Sequence, residues 1–109
     1  MTDFDQPLLI STSKDADGCV VTLVGELDPH TSPLLEQEID DGLGSGVTRL
    51  VLDMANLRFI DSSGLRVIIK AYKELEKRDG ELVLRSPNQT ALRLFEITDL
   101  LDHFTIEST

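Results

Sequence analysis

In "RFIDSSGLRVII", residues 58 to 69, an apolar segment ends in an acid and two consecutive serines, then restarts with the spacing of a buried helix. Two hydroxyls at such a junction admit three kinds of chemistry: helix capping, nucleophilic catalysis, or acceptance of a phosphoryl group. A nucleophilic serine needs a base within hydrogen-bond reach and an oxyanion hole, typically announced by G-x-S-x-G. "IDSSG" lacks that pattern, and the only imidazoles, His30 and His103, fall on an expected loop and helix end. No catalytic residue is assigned, and the chain is not expected to be an enzyme. Capping suits the junction: Asp61 or Ser62 can accept the first helical N–H bonds, and Ser62 is assigned the cap. Ser63 then stands in the first turn with its hydroxyl outward, and Gly64 allows the backbone or a partner to approach closely. A helix N-terminus tolerates added negative charge, so Ser63 can carry a phosphoryl group without melting the domain.

Other reactive types are sparse. Metal binding would draw on His30, His103, Cys19 and scattered carboxylates, none with the local spacing of a zinc site or a calcium loop, so no metal is expected. No Gly-rich loop resembles a nucleotide cradle, and no cofactor is expected on this chain. "STSK" at 11 to 14 matches S-x-x-K literally but falls on an expected strand with no companion motif. Asp53 follows an apolar strand, where a phosphoacceptor aspartate of a receiver domain would lie. The acidic pair and the late lysine of such domains are missing, and Asp53 reads as a strand-ending residue.

These residues need a scaffold, and 109 residues supply one domain, 1 to 109 with a core of about 6 to 107. A hydrophobic fraction of 40% against 28% charged is that of a globular protein. Twenty acidic against ten basic residues give a net charge of -10 with no basic run, so neither nucleic acid nor an anionic membrane is an expected partner. A basic protein surface is the natural complement. Cys19 lies in an apolar alternating run and reads as a packed core thiol. "MTDFDQPLLI" has no signal-peptide pattern and nothing later is long enough to span a bilayer, so the expected location is the cytoplasm. The sequon "NQT" at 88 to 90 is then an accident of composition.

The elements follow from periodicity. "LLISTS" (8 to 13) and "CVVTLVGEL" (19 to 27) read as strands joined by a hairpin at Asp17-Gly18. The next segment reads as a helix with Ser32 as N-cap, Pro33 at the first helical position, and Leu35, Ile39 and Leu43 inward. "RLVLDMANL" (49 to 57) reads as a central strand covered on both faces, with Val51 and Leu52 in the middle. Leu65, Ile68, Ile69, Tyr72 and Leu75 mark the buried face of a second helix that runs to Asp79-Gly80. "ELVLRS" is a further strand. "NQTALRLFEITDLLDHF" is a third helix with Leu92, Phe95 and Ile97 inward, and a last strand lies near "FTIES". The order β-β-α-β-α-β-α-β is that of an α/β domain, a mixed sheet of four or five strands with helices packed against it.

"GELDPHT" at 25 to 31, "LVLDMANLRFIDSSGLRVII" at 50 to 69 and "ALRLFEITDL" at 91 to 100 together resemble a STAS domain of the anti-sigma factor antagonist type. The match spans nearly the whole chain, and D-S-S-G-L is its most specific part. The resemblance implies that Ser63 is phosphorylated by a cognate anti-sigma factor, a GHKL-type serine kinase that holds the ATP, and is reset by a phosphatase. It implies that Gly25, Glu26, Leu27 and Asp28 form the loop beside that serine. Partner binding is accordingly assigned to Asp28, Asp61, Ser62, Ser63 and Gly64. The implied function is partner switching in transcription regulation, of the kind that serves stress or developmental programmes. The unphosphorylated form binds the kinase and releases a sigma factor, and phosphorylation inactivates it. The alternative is a STAS scaffold or ABC-transporter accessory module that binds without switching.

Overall fold

A computed structural model describes residues 8 to 14, 16, 18 to 44, 46 to 99 and 101 to 107. Strand β1 (Leu8–Lys14) pairs antiparallel with β2 (Cys19–Leu27), in a register that joins Lys14 to Cys19. Asp17 of the expected hairpin turn lies outside the described residues. Helix α1 (Ser32–Leu43), β3 (Arg49–Ile60), α2 (Ser62–Glu76), β4 (Glu81–Arg85), α3 (Gln89–Ile97) and β5 (Thr105–Glu107) complete the order. The sheet has five strands in the order β1-β2-β3-β4-β5, and every pairing after the first is parallel. The expected element order and mixed sheet are those observed.

Alternation in β2 sends Cys19, Val21, Leu23 and Leu27 inward, and the Leu35, Ile39 and Leu43 row of α1 meets them. Leu65, Ile68, Ala71 and Leu75 of α2 join the same cluster with Leu50, Leu52, Leu82 and Leu84 of β3 and β4. Burial raises the pKa of the Cys19 thiol above its ordinary value, as a packed core thiol requires. Val51 is buried as expected, but on the opposite parity and outside that cluster. It sits in a cross-sheet row of Ser13, Val20, Val51, Val83 and Thr105. Among the described residues no helix is long and apolar enough to cross a membrane.

Helix α2 ends at Glu76 with Lys77 as its C-cap, short of the expected Asp79-Gly80, and three further expectations change. The third helix stops at Ile97, and Leu101–His103 form a separate 3-10 turn, because Asp99 takes a positive φ of 60° that a helix cannot continue. Ala91 and Phe95 are its buried residues, Leu92 is half-buried and Ile97 is 80% exposed. Residues two apart on a helix point nearly opposite ways, so Phe95 and Ile97 cannot both face inward. Asp53 does not end its strand: β3 runs on to Ile60, and what ends at Asp53 is the pairing with β4. The third change concerns α1, which starts one residue early. Thr31 already has helical dihedrals (φ -98°, ψ -21°), so Ser32 is the first helical residue rather than the cap.

Candidate functional site

The long β3 delivers the DSSG segment to the place where β2 ends. Asp61 N–H donates to Leu27 O at 3.2 Å, which ties the start of α2 to the last residue of β2. Two register shifts interrupt the β2–β3 ladder, one between Thr22 and Val24 and one between Gly25 and Glu26, and Gly25 has a φ of 121°. Bulges of this kind bend a strand and re-aim the residues beyond them, and the positive φ explains the glycine in "GELD". Gly64 is buried, and a Cβ built there would come within 2.5 Å of Leu27 Cδ2. Its close approach is to this chain's own Leu27, so Gly64 sets the seating of α2 on β2.

Asp61 is extended (φ -120°, ψ -169°), and its Oδ1 accepts from Ser63 N at 2.9 Å and from Gly64 N at 3.4 Å. Asp61 is therefore the N-cap of α2 and Ser62 is not: Ser62 is the first helical residue, exposed and outside the capping bonds. Aspartate and serine are caps of similar strength. The choice falls to the residue that keeps strand-like dihedrals as β3 ends. The Ser63 hydroxyl is not free either. Ser63 is half-buried, its Oγ donates to Asp61 Oδ1 at 2.5 Å, and the Ser32 hydroxyl oxygen lies 3.2 Å away. Neither partner is an imidazole. His103 Nδ1 lies 3.3 Å from the Tyr72 hydroxyl, and His30 is exposed.

The loop between β2 and α1 is held by Asp28 and Thr31. Asp28 Oδ1 accepts from His30 N at 2.9 Å and Thr31 N at 3.0 Å, while Asp28 N donates to Thr31 Oγ1 at 2.9 Å. Thr31, fully buried, donates its hydroxyl proton to Glu26 O at 2.9 Å. The Thr31 N–H bond, helped by the His30 N–H, holds the Asp28 carboxyl below its ordinary pKa against a smaller opposing effect of desolvation. Asp28 thus shapes the loop with the carboxylate that sequence reasoning gave to a partner. Ser32, read there only as a cap, is the residue that reasoning missed in the site. Large apolar side chains also stand exposed nearby in sequence: Leu34, two residues after Ser32, and Phe59, two residues before Asp61. Among the described residues no three of His, Cys, Asp or Glu cluster in a way that could hold a metal ion.

A β2–α1 loop and a D-S-S-G helix start, joined through Ser32 and Ser63 on a mixed five-stranded sheet, can be compared with known proteins. The family model of the STAS domain matches residues 10 to 109. The chain belongs to the STAS domain family. It is 33% identical over 95 residues to the anti-sigma-B factor antagonist of Listeria monocytogenes, covering 87% of this chain and 83% of that protein. This STAS domain is similar in fold to the crystal structure of an anti-sigma factor antagonist from Mycobacterium paratuberculosis. There the TM-score is 0.82 at 26% identity, over 94% of this chain and 86% of that one. It is also similar to SpoIIAA, the Bacillus cell fate determinant, in its phosphorylated form, with a TM-score of 0.78 at 25% identity over 93% and 91% of the two chains.

Proposed function

We propose that this STAS domain is an anti-sigma factor antagonist whose partner switching is controlled at Ser63. In its unphosphorylated form it binds an anti-sigma factor that is also a GHKL-type serine kinase, and so frees a sigma factor. Transcription is promoted without contact between this chain and DNA. The kinase carries the ATP, transfers its phosphoryl group to Ser63 and thereby ends the interaction, and a phosphatase resets the switch. The observation that carries the reading is the Ser63 hydroxyl, held by Asp61 at the N-terminus of α2 beside the β2–α1 loop. The names of the relatives support the antagonist role, and the phosphorylated form of SpoIIAA supports phosphorylation as its control.

The docking surface runs over Asp28, Asp61, Ser62 and Ser63, with exposed Phe59, two residues before Asp61 on β3, supplying apolar contact. Phosphorylation replaces the Ser63 proton with a group carrying about -1.5 to -2 charges. The hydrogen bond to Asp61 becomes a repulsion between anions. The helix N-terminus offsets part of this within the domain. At an interface shaped for the unmodified serine no such compensation exists, and desolvation adds to the cost. Mass spectrometry after incubation with the cognate kinase and ATP tests the assignment. Phosphate is expected on Ser63 and absent in Ser63→Ala, whereas phosphate on Ser62 would overturn it. Binding without any phosphorylation would instead favour a non-switching scaffold.

A further inference from the structure

Ser32 and Ser63 sit 31 residues apart in sequence, on α1 and α2, with their hydroxyl oxygens 3.2 Å apart. Each hydroxyl has one proton to give. That of Ser63 goes to Asp61 Oδ1, 2.5 Å away, and a carboxylate can only accept. Between the two serines, Ser32 is therefore the donor. Its side chain has no part in starting α1, where Thr31 holds the cap position, and at 4% exposure it is closed to a partner. The three groups form a line from the Ser32 hydroxyl through the Ser63 hydroxyl to the Asp61 carboxylate.

We propose that Ser32 is a positioning residue for phosphoryl acceptance, donating its hydroxyl proton to Ser63 Oγ and so fixing which way the Ser63 oxygen presents itself. The inference rests on the reading of Ser63 as the phosphoacceptor. Two hydrogen bonds from two helices hold the Ser63 side chain in one rotamer. One lone pair of Oγ accepts from Ser32, which leaves the other for attack, and hydrogen bonds in a line polarise one another. In the transfer, that lone pair forms the Oγ–P bond to the terminal phosphorus of the partner's nucleoside triphosphate. The bond from that phosphorus to its bridging oxygen breaks, and its electron pair leaves with the diphosphate. The Ser63 proton departs along its hydrogen bond to Asp61 Oδ1. Ser32 is unchanged by the step and goes on donating to what is then an ester oxygen.

The test is Ser32→Ala, which removes the donor and leaves every capping bond of α1 and α2 in place. The first readout needs no kinase: the Hα–Hβ scalar couplings of Ser63, measured by NMR in the whole chain, report its rotamer. A single rotamer is expected in the wild-type chain and averaged couplings in Ser32→Ala. Averaging already present in the wild type, or a single rotamer retained in the variant, would overturn the proposal. The second readout is phosphorylation by the cognate kinase with ATP. Loss of one orienting hydrogen bond should lower kcat about three- to tenfold at unchanged KM. An equal kcat, or a change confined to KM, would contradict a positioning role. A wild-type chain that accepts no phosphate under these conditions overturns the phosphoacceptor reading alone, because the couplings decide the geometry of Ser32 separately.

Discussion

Asp61 Oδ1 accepts from the Ser63 and Gly64 amides and from the Ser63 hydroxyl, so one carboxylate both starts α2 and holds the serine beside it. Asp61→Ala should therefore lose about 1 kcal/mol or more in urea denaturation, whereas Ser62→Ala should stay within about 0.5 kcal/mol. The pair of results distinguishes Asp61, the observed cap, from Ser62, the cap assigned from the sequence. Asp28 makes a prediction in pH. Its folded pKa is lowered by the Thr31 N–H, so its contribution to stability is complete above the ordinary carboxylate range and is lost as pH falls through the lowered value. An NMR titration should place the Asp28 midpoint below that of a free aspartate, and Asp28→Asn should remove this part of the acid limb. That α2 starts at the D-S-S-G segment was legible because caps and turns are written in neighbouring residues, but which residue caps it was not, since Asp61 and Ser62 cap about equally well. The Ser32–Ser63 contact was not, since it joins two helices and leaves no trace in local spacing.

Helix α2 shows what periodicity conveys well: Leu65, Ile68 and Leu75 are all buried as its spacing requires, with Ile69 half-buried at the margin of the stripe. Ile68, fully buried, should cost about 2 to 5 kcal/mol as Ile68→Ala, while Ile97→Ala, at an 80% exposed position, should change stability by less than about 0.5 kcal/mol. Denaturant midpoints of the two variants check both registers at once. α3 was harder to read because its apolar residues are dense enough to fit more than one face, and only its caps fix where it starts and stops. Asn88 supplies the first, accepting from Ala91 N at 2.8 Å while its amide donates to Leu57 O at 3.0 Å. That second bond ties α3 to the stretch of β3 that leads to the site. In the sequence Gly25 reads as part of the loop beside the serine, and Gly64 as room for the backbone or a partner to approach. In the fold one forms a bulge with φ 121° and the other makes room for Leu27.

The molecule as a whole carries a net charge of -10, and its candidate switch stands beside the Asp61 carboxylate. A basic surface is the natural complement of such an acidic domain, and on that reading rising salt should slow association with a partner. In the proposed switch, phosphorylation of Ser63 would act on the same balance at one point, by placing a hydrated dianion where the unmodified protein offers a hydroxyl that donates to its own aspartate. The domain can accommodate the group at a helix N-terminus, so the fold should survive while the interface does not. The affinity of the cognate anti-sigma kinase for the Ser63-phosphorylated and unmodified protein, titrated side by side at one salt concentration, tests this most directly. A weakening of at least about tenfold is expected, which corresponds to about 1.4 kcal/mol or more, with Ser63→Ala binding as the unmodified protein does. Undiminished affinity of the phosphorylated form would contradict the account.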